Sequence, residues 1–177
     1  MIDDGREQEE AKLAKRGSAD WAFAEYINWE LEVKRPRVQA VTSLFQRATA
    51  LHWQNEELWE TWIEFAAQHA KASLLEVCER AVKAVPAGAG LWAAYLRAAE
   101  ATQQPSGAVL GLIDRAIGTG LFEKNVDGLV TVYEAGAGFL RREAEQTSRP
   151  EDEREGAAIQ PAIKLLKQAI AKINASE

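Results

Sequence analysis

The large aromatic residues of this chain return at a near-constant interval, and that periodicity constrains the fold more than any other feature. One block reads Phe23-x-x-Tyr26-Ile27-x-Trp29-Glu30, a second Trp59-x-x-Trp62-Ile63-x-Phe65, a third Trp92-x-x-Tyr95-Leu96, and a weaker fourth Tyr133-x-x-Gly136-Ala137-x-Phe139-Leu140. Their first residues lie 36, 33 and 41 positions apart. Behind each block comes a second: Leu44-Phe45-Gln46-Arg47-Ala48, Val77-Cys78-Glu79-Arg80-Ala81, Leu112-Ile113-Asp114-Arg115-Ala116 and, degraded, Leu165-Leu166-Lys167-Gln168-Ala169. The unit is a pair of segments spanning about 34 residues, a length at which supersecondary units stack into arrays.

Within each first segment the large side chains fall at 0, +3, +4 and +6 or +7, which places them on one face of a 3.6-residue helix. Second segments behave alike: Val41, Leu44, Phe45 and Ala48 make one stripe, and Val109, Leu112, Ile113 and Ala116 another. Alanine, the best helix former and a poor strand former, supplies 32 of 177 residues. Breakers separate the segments at Lys34-Arg35-Pro36, Pro86-Ala87-Gly88-Ala89-Gly90, Gln104-Pro105-Ser106-Gly107 and Gly118-Thr119-Gly120. Ser106 is expected to cap the helix that follows. Each unit is thus a helical hairpin, and because one hairpin cannot hide its own apolar face, successive hairpins must share a core. Ala48, Ala81 and Ala116 mark points of close helix approach.

The expected fold is all-α, a right-handed α-α superhelical solenoid of about four hairpins. Residues 1–20 form a charged N-terminal segment, read as a helix left from a preceding repeat. Hairpins follow at 21–50, 51–86 and 87–120, and a degenerate one at 121–177 carries a polar insertion, 143–156, expected to be a mobile loop. The array stops without a polar cap, so the chain reads as an excerpt of a longer protein.

A net charge of −6 gives no global attraction for phosphate backbones. The lone cysteine, Cys78, excludes an internal disulfide and a cysteine-based zinc site, suits a reducing compartment, and lies on an apolar helix face where a small hydrophobe packs. No run of 18 apolar residues and no signal peptide is present, so no membrane association is expected. His52 and His69 lack metal-ligand spacing, and Gly88-Ala89-Gly90, Gly118-Thr119-Gly120 and Gly136-Ala137-Gly138 lack the strand and lysine of a phosphate loop. The first two glycine pairs read as turns; the third falls inside a helix, where it weakens the helix unless a close backbone approach requires it. No catalytic, cofactor or metal site is expected.

Glu30 with Arg47, and Glu100 with Arg115, hold fixed places in the repeat, which favours structural ties within or between hairpins over ligand binding. Residues placed as repeat-defining are Tyr26, Trp29, Glu30, Arg47, Trp59, Trp62, Arg80, Trp92, Tyr95 and Arg115. Lys34, Arg35 and Arg37, with Arg141 and Arg142, form modest basic clusters and are candidate interaction positions. Trp53, Leu121 and Phe122 are candidates for burial between two copies in a homodimer.

The tetratricopeptide signature, with its glycine, alanine and proline at set points, is not met. Tyr26-Ile27-Asn28-Trp29-Glu30 followed by Leu44-Phe45-Gln46-Arg47-Ala48, with Trp59, Trp92, Arg80-Ala81 and Arg115-Ala116, resembles the half-a-TPR (HAT) repeat of RNA-processing proteins. Repeat two has Ala66 where the family expects Glu, repeat three has Glu100 one place late, and repeat four lacks both the tryptophan and the arginine. Leu91-Trp92, then Ala116-Ile117 before Gly120-Leu121-Phe122, and a helix ending Leu140-Arg141-Arg142 narrow the resemblance to the U4/U6 snRNP recycling factor family, U6-annealing relatives included. That resemblance implies a nuclear, non-enzymatic protein-binding scaffold in pre-mRNA splicing, docking snRNP proteins and deubiquitinases and self-associating. It implies RNA association through RNA-recognition motifs elsewhere in such proteins. A HAT scaffold of cleavage-polyadenylation or another spliceosomal complex is the alternative.

Overall fold

A computed structural model describes residues 2–32, 37–120, 122, 125–147 and 160–174. The described residues contain nine α-helices and no strand: α1 (Ile2–Lys15), α2 (Asp20–Glu32), α3 (Val38–Leu51), α4 (Glu56–His69), α5 (Leu74–Ala84), α6 (Ala89–Ala101), α7 (Ser106–Gly118), α8 (Val126–Thr147) and α9 (Gln160–Asn174). A single 3-10 turn, Lys71–Ser73, follows α4. The all-α expectation holds. By its internal contacts the chain divides into two compact units, Met1–Ser73 and Leu74–Glu177.

In the first unit α1 packs on α2, α2 on α3 and α3 on α4. The charged N-terminal segment is helical over Ile2–Lys15, held by the buried side chain of Leu13 and by ion pairs to α2 and α3. Gly17 and Ser18 turn the chain through left-handed backbone (φ 69° and 56°), and the Ser18 amide donates to the Leu13 carbonyl to finish α1. The core is aromatic. Trp62 stacks on Phe45 with ring centres 5.7 Å apart and planes 2° from parallel, and on Trp59 at 5.5 Å. Asn55 caps α4 by accepting from the Leu58 amide (3.1 Å), and Glu56 and Glu57 in the first turn suit the positive end of the helix dipole.

In the second unit α5 packs on α6, α6 on both α7 and α8, and α8 on α7 and α9. Leu96, Ala99, Val109, Ile113, Leu140 and Ala162 form its core. Gly136 explains one helix glycine. A Cβ there would stand 2.7 Å from Ile113 Cδ1 and 3.0 Å from Leu165 Cδ2, so the bare backbone is what lets α8 approach α7 and α9. Ala48, Ala81 and Ala116 are all fully buried, as their place in the repeat requires.

Several expectations are corrected. Residues 143–147 are the last turns of α8 and not loop, since Arg142 and Glu143 are bonded to the second unit's other helices; the rest of the 143–156 insertion lies outside the described residues. Ser106 does not cap α7: it is already helical, Pro105 stands at the cap position, and the Ser106 hydroxyl donates to Glu143. Gly90 and Gly107 are helical as well, so only part of each glycine-rich breaker is turn. The α6–α7 turn passes through left-handed Gln103 (φ 55°), and the Gln104 amide donates to the Ala99 carbonyl.

Candidate functional site

The repeat motif builds one polar arrangement twice. In the first unit Arg47 donates to Glu10 (Nη1–Oε1 2.8 Å, Nη2–Oε2 3.1 Å) while its guanidinium lies 5.7 Å from the centre of the Phe23 ring. In the second, Arg115 donates to Glu79 (Nη2–Oε2 2.8 Å) with its guanidinium 5.0 Å from the Trp92 ring centre. Tyr26 and Tyr95 complete the two sets. Glu10, Phe23 and Tyr26 map onto Glu79, Trp92 and Tyr95 by one shift of 69 positions, and Arg47 onto Arg115 by 68. In both sets the arginine thus covers the first aromatic of its own segment pair and bonds to the helix before that pair. Helix α1 serves α2–α3 as α5 serves α6–α7.

The electrostatics follow from that geometry. Burial raises the Tyr95 phenol to about 12, with the hydrogen bond and charge of Glu79 adding to the effect. Burial pushes the Glu79 carboxyl up, but hydrogen bonds from Arg115, Lys83 and Tyr95 outweigh it, and the group lies below the ordinary glutamate range. Burial, then the Glu10 and Glu30 carboxylates, raise Tyr26. The degenerate fourth repeat, without an arginine, has only burial and the Asp114 charge acting on Tyr133.

Neither Glu30–Arg47 nor Glu100–Arg115 pairs as the sequence suggested. Glu30 is fully buried and bonded to Arg6 of α1 (Nη2–Oε2 3.0 Å, with a second bond from Nε), whereas Glu100 takes two 2.7 Å bonds from Arg142 of α8. The one-residue offset of Glu100 is the reason: a shift of one position turns a side chain by about 100° around a helix. Glu30 therefore faces the helix before it and Glu100 the helix after it.

The tryptophans have a second common role. Trp59 Nε1 donates to the Trp53 carbonyl (2.8 Å) and Trp92 Nε1 to the Pro86 carbonyl (2.9 Å), each six residues upstream, closing the turn that leads into its helix. Trp62 is buried in the aromatic core, and Trp29 is half-buried beside Tyr26, over Gly5 of α1, where a Cβ would meet its ring at 2.6 Å. Arg80 is half-buried on α5.

The interaction positions separate. Lys34, Arg35 and Leu121 lie outside the described residues. Arg37 is exposed at the start of α3, and Arg141 is exposed, 3.8 Å from Glu145. Arg142 is engaged by Glu100. Phe122, at 1% exposure, is buried in its own unit, which corrects the expectation that a second copy buries it. Trp53 is half exposed, like Trp21.

A groove of about 400 Å3 opens in the first unit between α2 and α4, with Ile27, Phe45 and Leu58 among its walls and Asp20, Trp21, Asn28, Asn55, Glu57 and Thr61 around them. Asn55 Nδ2 donates to Asp20 Oδ2 across it (3.3 Å). The repeat pattern did not single out Asp20, Trp21, Asn28 or Asn55, because they fall between the repeating positions. The tryptophan next to the Asp20 helix start was the available signal.

Reactive groups are quiet. Cys78 is fully buried and burial raises its thiol to about 12, leaving it a neutral core side chain. His52 Nε2 donates to the Ser18 carbonyl (2.7 Å), which fixes its tautomer and ties α3 to the α1–α2 turn. Among the described residues no group of three or more His, Cys, Asp or Glu side chains is placed to hold a metal ion, and no helix is long and apolar enough to cross a membrane.

An all-α protein in which one arginine–aromatic–glutamate–tyrosine set recurs, with a groove between α2 and α4, is the class these features define. The chain is similar to proteins named "Spliceosome associated factor 3, U4/U6 recycling protein". It is 27% identical to that of Danio rerio over 176 residues, and 26% identical to those of Homo sapiens and Pongo abelii over 167 residues. These matches cover 96% and 92% of this chain but span only 18% and 17% of the relatives' length. No family model matches the chain.

Proposed function

We propose that this chain is a non-enzymatic docking module of a splicing factor, a run of HAT hairpins in a right-handed solenoid that offers a recessed helical surface to protein partners. The observation that carries the reading is the arginine–aromatic–glutamate–tyrosine set repeated at a 69-residue shift. It ties two of the hairpins, 21–50 and 87–120, to the helix before each in the same way, as neighbouring units of stacked helical repeats are tied. The solenoid's hairpins would span 21–50, 51–86, 87–120 and 121–177. The similarity to U4/U6 recycling proteins along nearly the whole chain supports a place in U6 snRNP or U4/U6 di-snRNP assembly and recycling, and with it a nuclear location. Partners would be snRNP proteins, with a deubiquitinase or a second copy of the chain as further occupants, and RNA would be reached through other parts of the full protein.

The test is capture from nuclear extract with the immobilised chain, with and without nuclease. U4/U6 particle proteins that persist after nuclease treatment are the expected outcome. Return of only cleavage-factor or unrelated splicing subunits would overturn the recycling assignment and leave the docking role.

A further inference from the structure

The groove between α2 and α4 has a chemical character that narrows what can enter it. Helices α2 and α4 carry four carboxylates each and not one lysine or arginine. Asp20 and Glu57 on the groove wall make no ion pair among the described residues, whereas Trp21 beside them is 51% exposed. Elsewhere the protein fills this same combination from within. Arg47 sits between Phe23 and Glu10, and Arg115 between Trp92 and Glu79. At the groove itself Arg16 of α1, paired with Glu25, already lies 4.9 Å from the Trp21 ring centre, while Asp20 and Glu57 are left without a cation among the described residues. A guanidinium satisfies both halves of such a pair, stacking its weakly hydrated face on the ring and directing its edge donors at the carboxylate.

We propose that the groove receives an arginine-bearing segment of a protein partner, with the guanidinium held by Asp20 and Glu57 at the Trp21 edge of the groove and an adjacent aliphatic side chain over exposed Ala24. The proposal rests on the docking reading and specifies the partner's chemistry. Phosphate-rich RNA is the wrong occupant, since the unpaired carboxylates on the wall repel it. The exposed amide of Asn28 suits the backbone of an extended peptide.

The test is fluorescence anisotropy with the 177-residue chain and a labelled peptide, acetyl-Gly-Leu-Arg-Arg-Leu-Arg-Gly-amide, beside an isosteric control with citrulline in place of arginine. The arginine peptide is expected to bind, and the citrulline peptide to bind at least about tenfold more weakly, since only the charge is lost. Asp20→Asn with Glu57→Gln should weaken the arginine peptide by a similar factor. Trp21→Ala should weaken it while the chain stays folded, its thermal midpoint falling by no more than that of Arg16→Ala, which removes the same ring contact from the other side and should leave peptide binding intact. Equal binding of the two peptides, binding indifferent to the Asp20/Glu57 double variant, no peptide binding, or preferential binding of a labelled oligouridylate would each overturn the proposal. Capture of U4/U6 proteins by a Trp21→Ala chain would retain the docking reading while moving it off this groove.

Discussion

Arg115 and Glu79, 36 residues apart in sequence, meet at 2.8 Å, with the Arg115 guanidinium 5.0 Å from the centre of the Trp92 ring. The side chains are 44% and 27% exposed, so water screens the pair, and its worth is that of a surface ion pair plus a ring contact. Arg115→Ala is expected to cost about 1–2 kcal/mol, up to about 1 from the ion pair and about 0.5–1 from the ring. Arg115→Lys, which keeps charge but loses the planar stack, should recover less than half of that. A urea-unfolding double-mutant cycle with Glu79→Gln checks the coupling, and strictly additive effects would contradict the pairing.

The Arg6–Glu30 pair is a different case, because the Glu30 side chain is fully buried and Arg6 is 15% exposed. Removing the cation strands a carboxylate away from water. Arg6→Ala is expected to cost about 3–5 kcal/mol, more than Arg47→Ala, whose Glu10 partner is in water. Arg6→Met with Glu30→Met should recover most of the loss, because a buried ion pair adds little beyond packing. Thermal unfolding of the three chains measures this, and an Arg6→Ala midpoint equal to the parent's would refute the burial argument.

Stability should fall at both ends of the pH scale, for opposite reasons. The phenols of Tyr26, Tyr95 and Tyr133 are raised above 10 in the fold, so their contribution is complete below about pH 10 and is lost as pH climbs, for Tyr95 towards 12. Glu79 and Glu100 lie below the ordinary 4.5, so their contribution is complete above that pH and fades as pH drops beneath it. Melting midpoints across the range, with phenolate absorbance at the alkaline end, report both edges. Tyr95→Phe should flatten the alkaline edge, and a phenolate signal complete by pH 10 in folded protein would rule out the buried phenols.

Two helix glycines should respond with opposite signs. At Gly111 of α7 an added methyl group would have nothing within 4 Å, so Gly111→Ala should stabilise by about 0.5–1 kcal/mol through chain entropy alone. At Gly136 the same methyl collides with buried Ile113 and with Leu165, and overpacking of about 1–3 kcal/mol exceeds the helix gain. Calorimetry of the two variants decides it, and stabilisation at both would mean that α8 has room to move.

The all-α fold was legible because large side chains such as Trp59, Trp62 and Ile63 fall at helical spacing, and local periodicity survives packing. Partner choice was not. Glu30 and Glu100 occupy nearly the same repeat position, yet one faces α1 and the other α8, because a single residue of offset rotates a side chain by about 100°. The Ser106 error has a similar origin: a serine before a helix reads as a cap, but Glu143, 37 residues later, takes its hydroxyl. The groove escaped the sequence reading for a third reason. Its walls come from two helices whose groove-facing residues, Asp20, Asn28 and Asn55, obey no repeat, and recesses are defined by what helices leave open.

Three of the arginine ties run in one direction along the chain, opposite to that of Arg6 and Glu30. Arg47, Arg115 and Arg142 each reach back to a glutamate made 37, 36 or 42 residues earlier. During synthesis on the ribosome, the acidic partner is therefore already outside the exit tunnel when each arginine emerges. Each tie can fasten to a helix that already exists, so these parts of the fold can be assembled in the order in which the message is read.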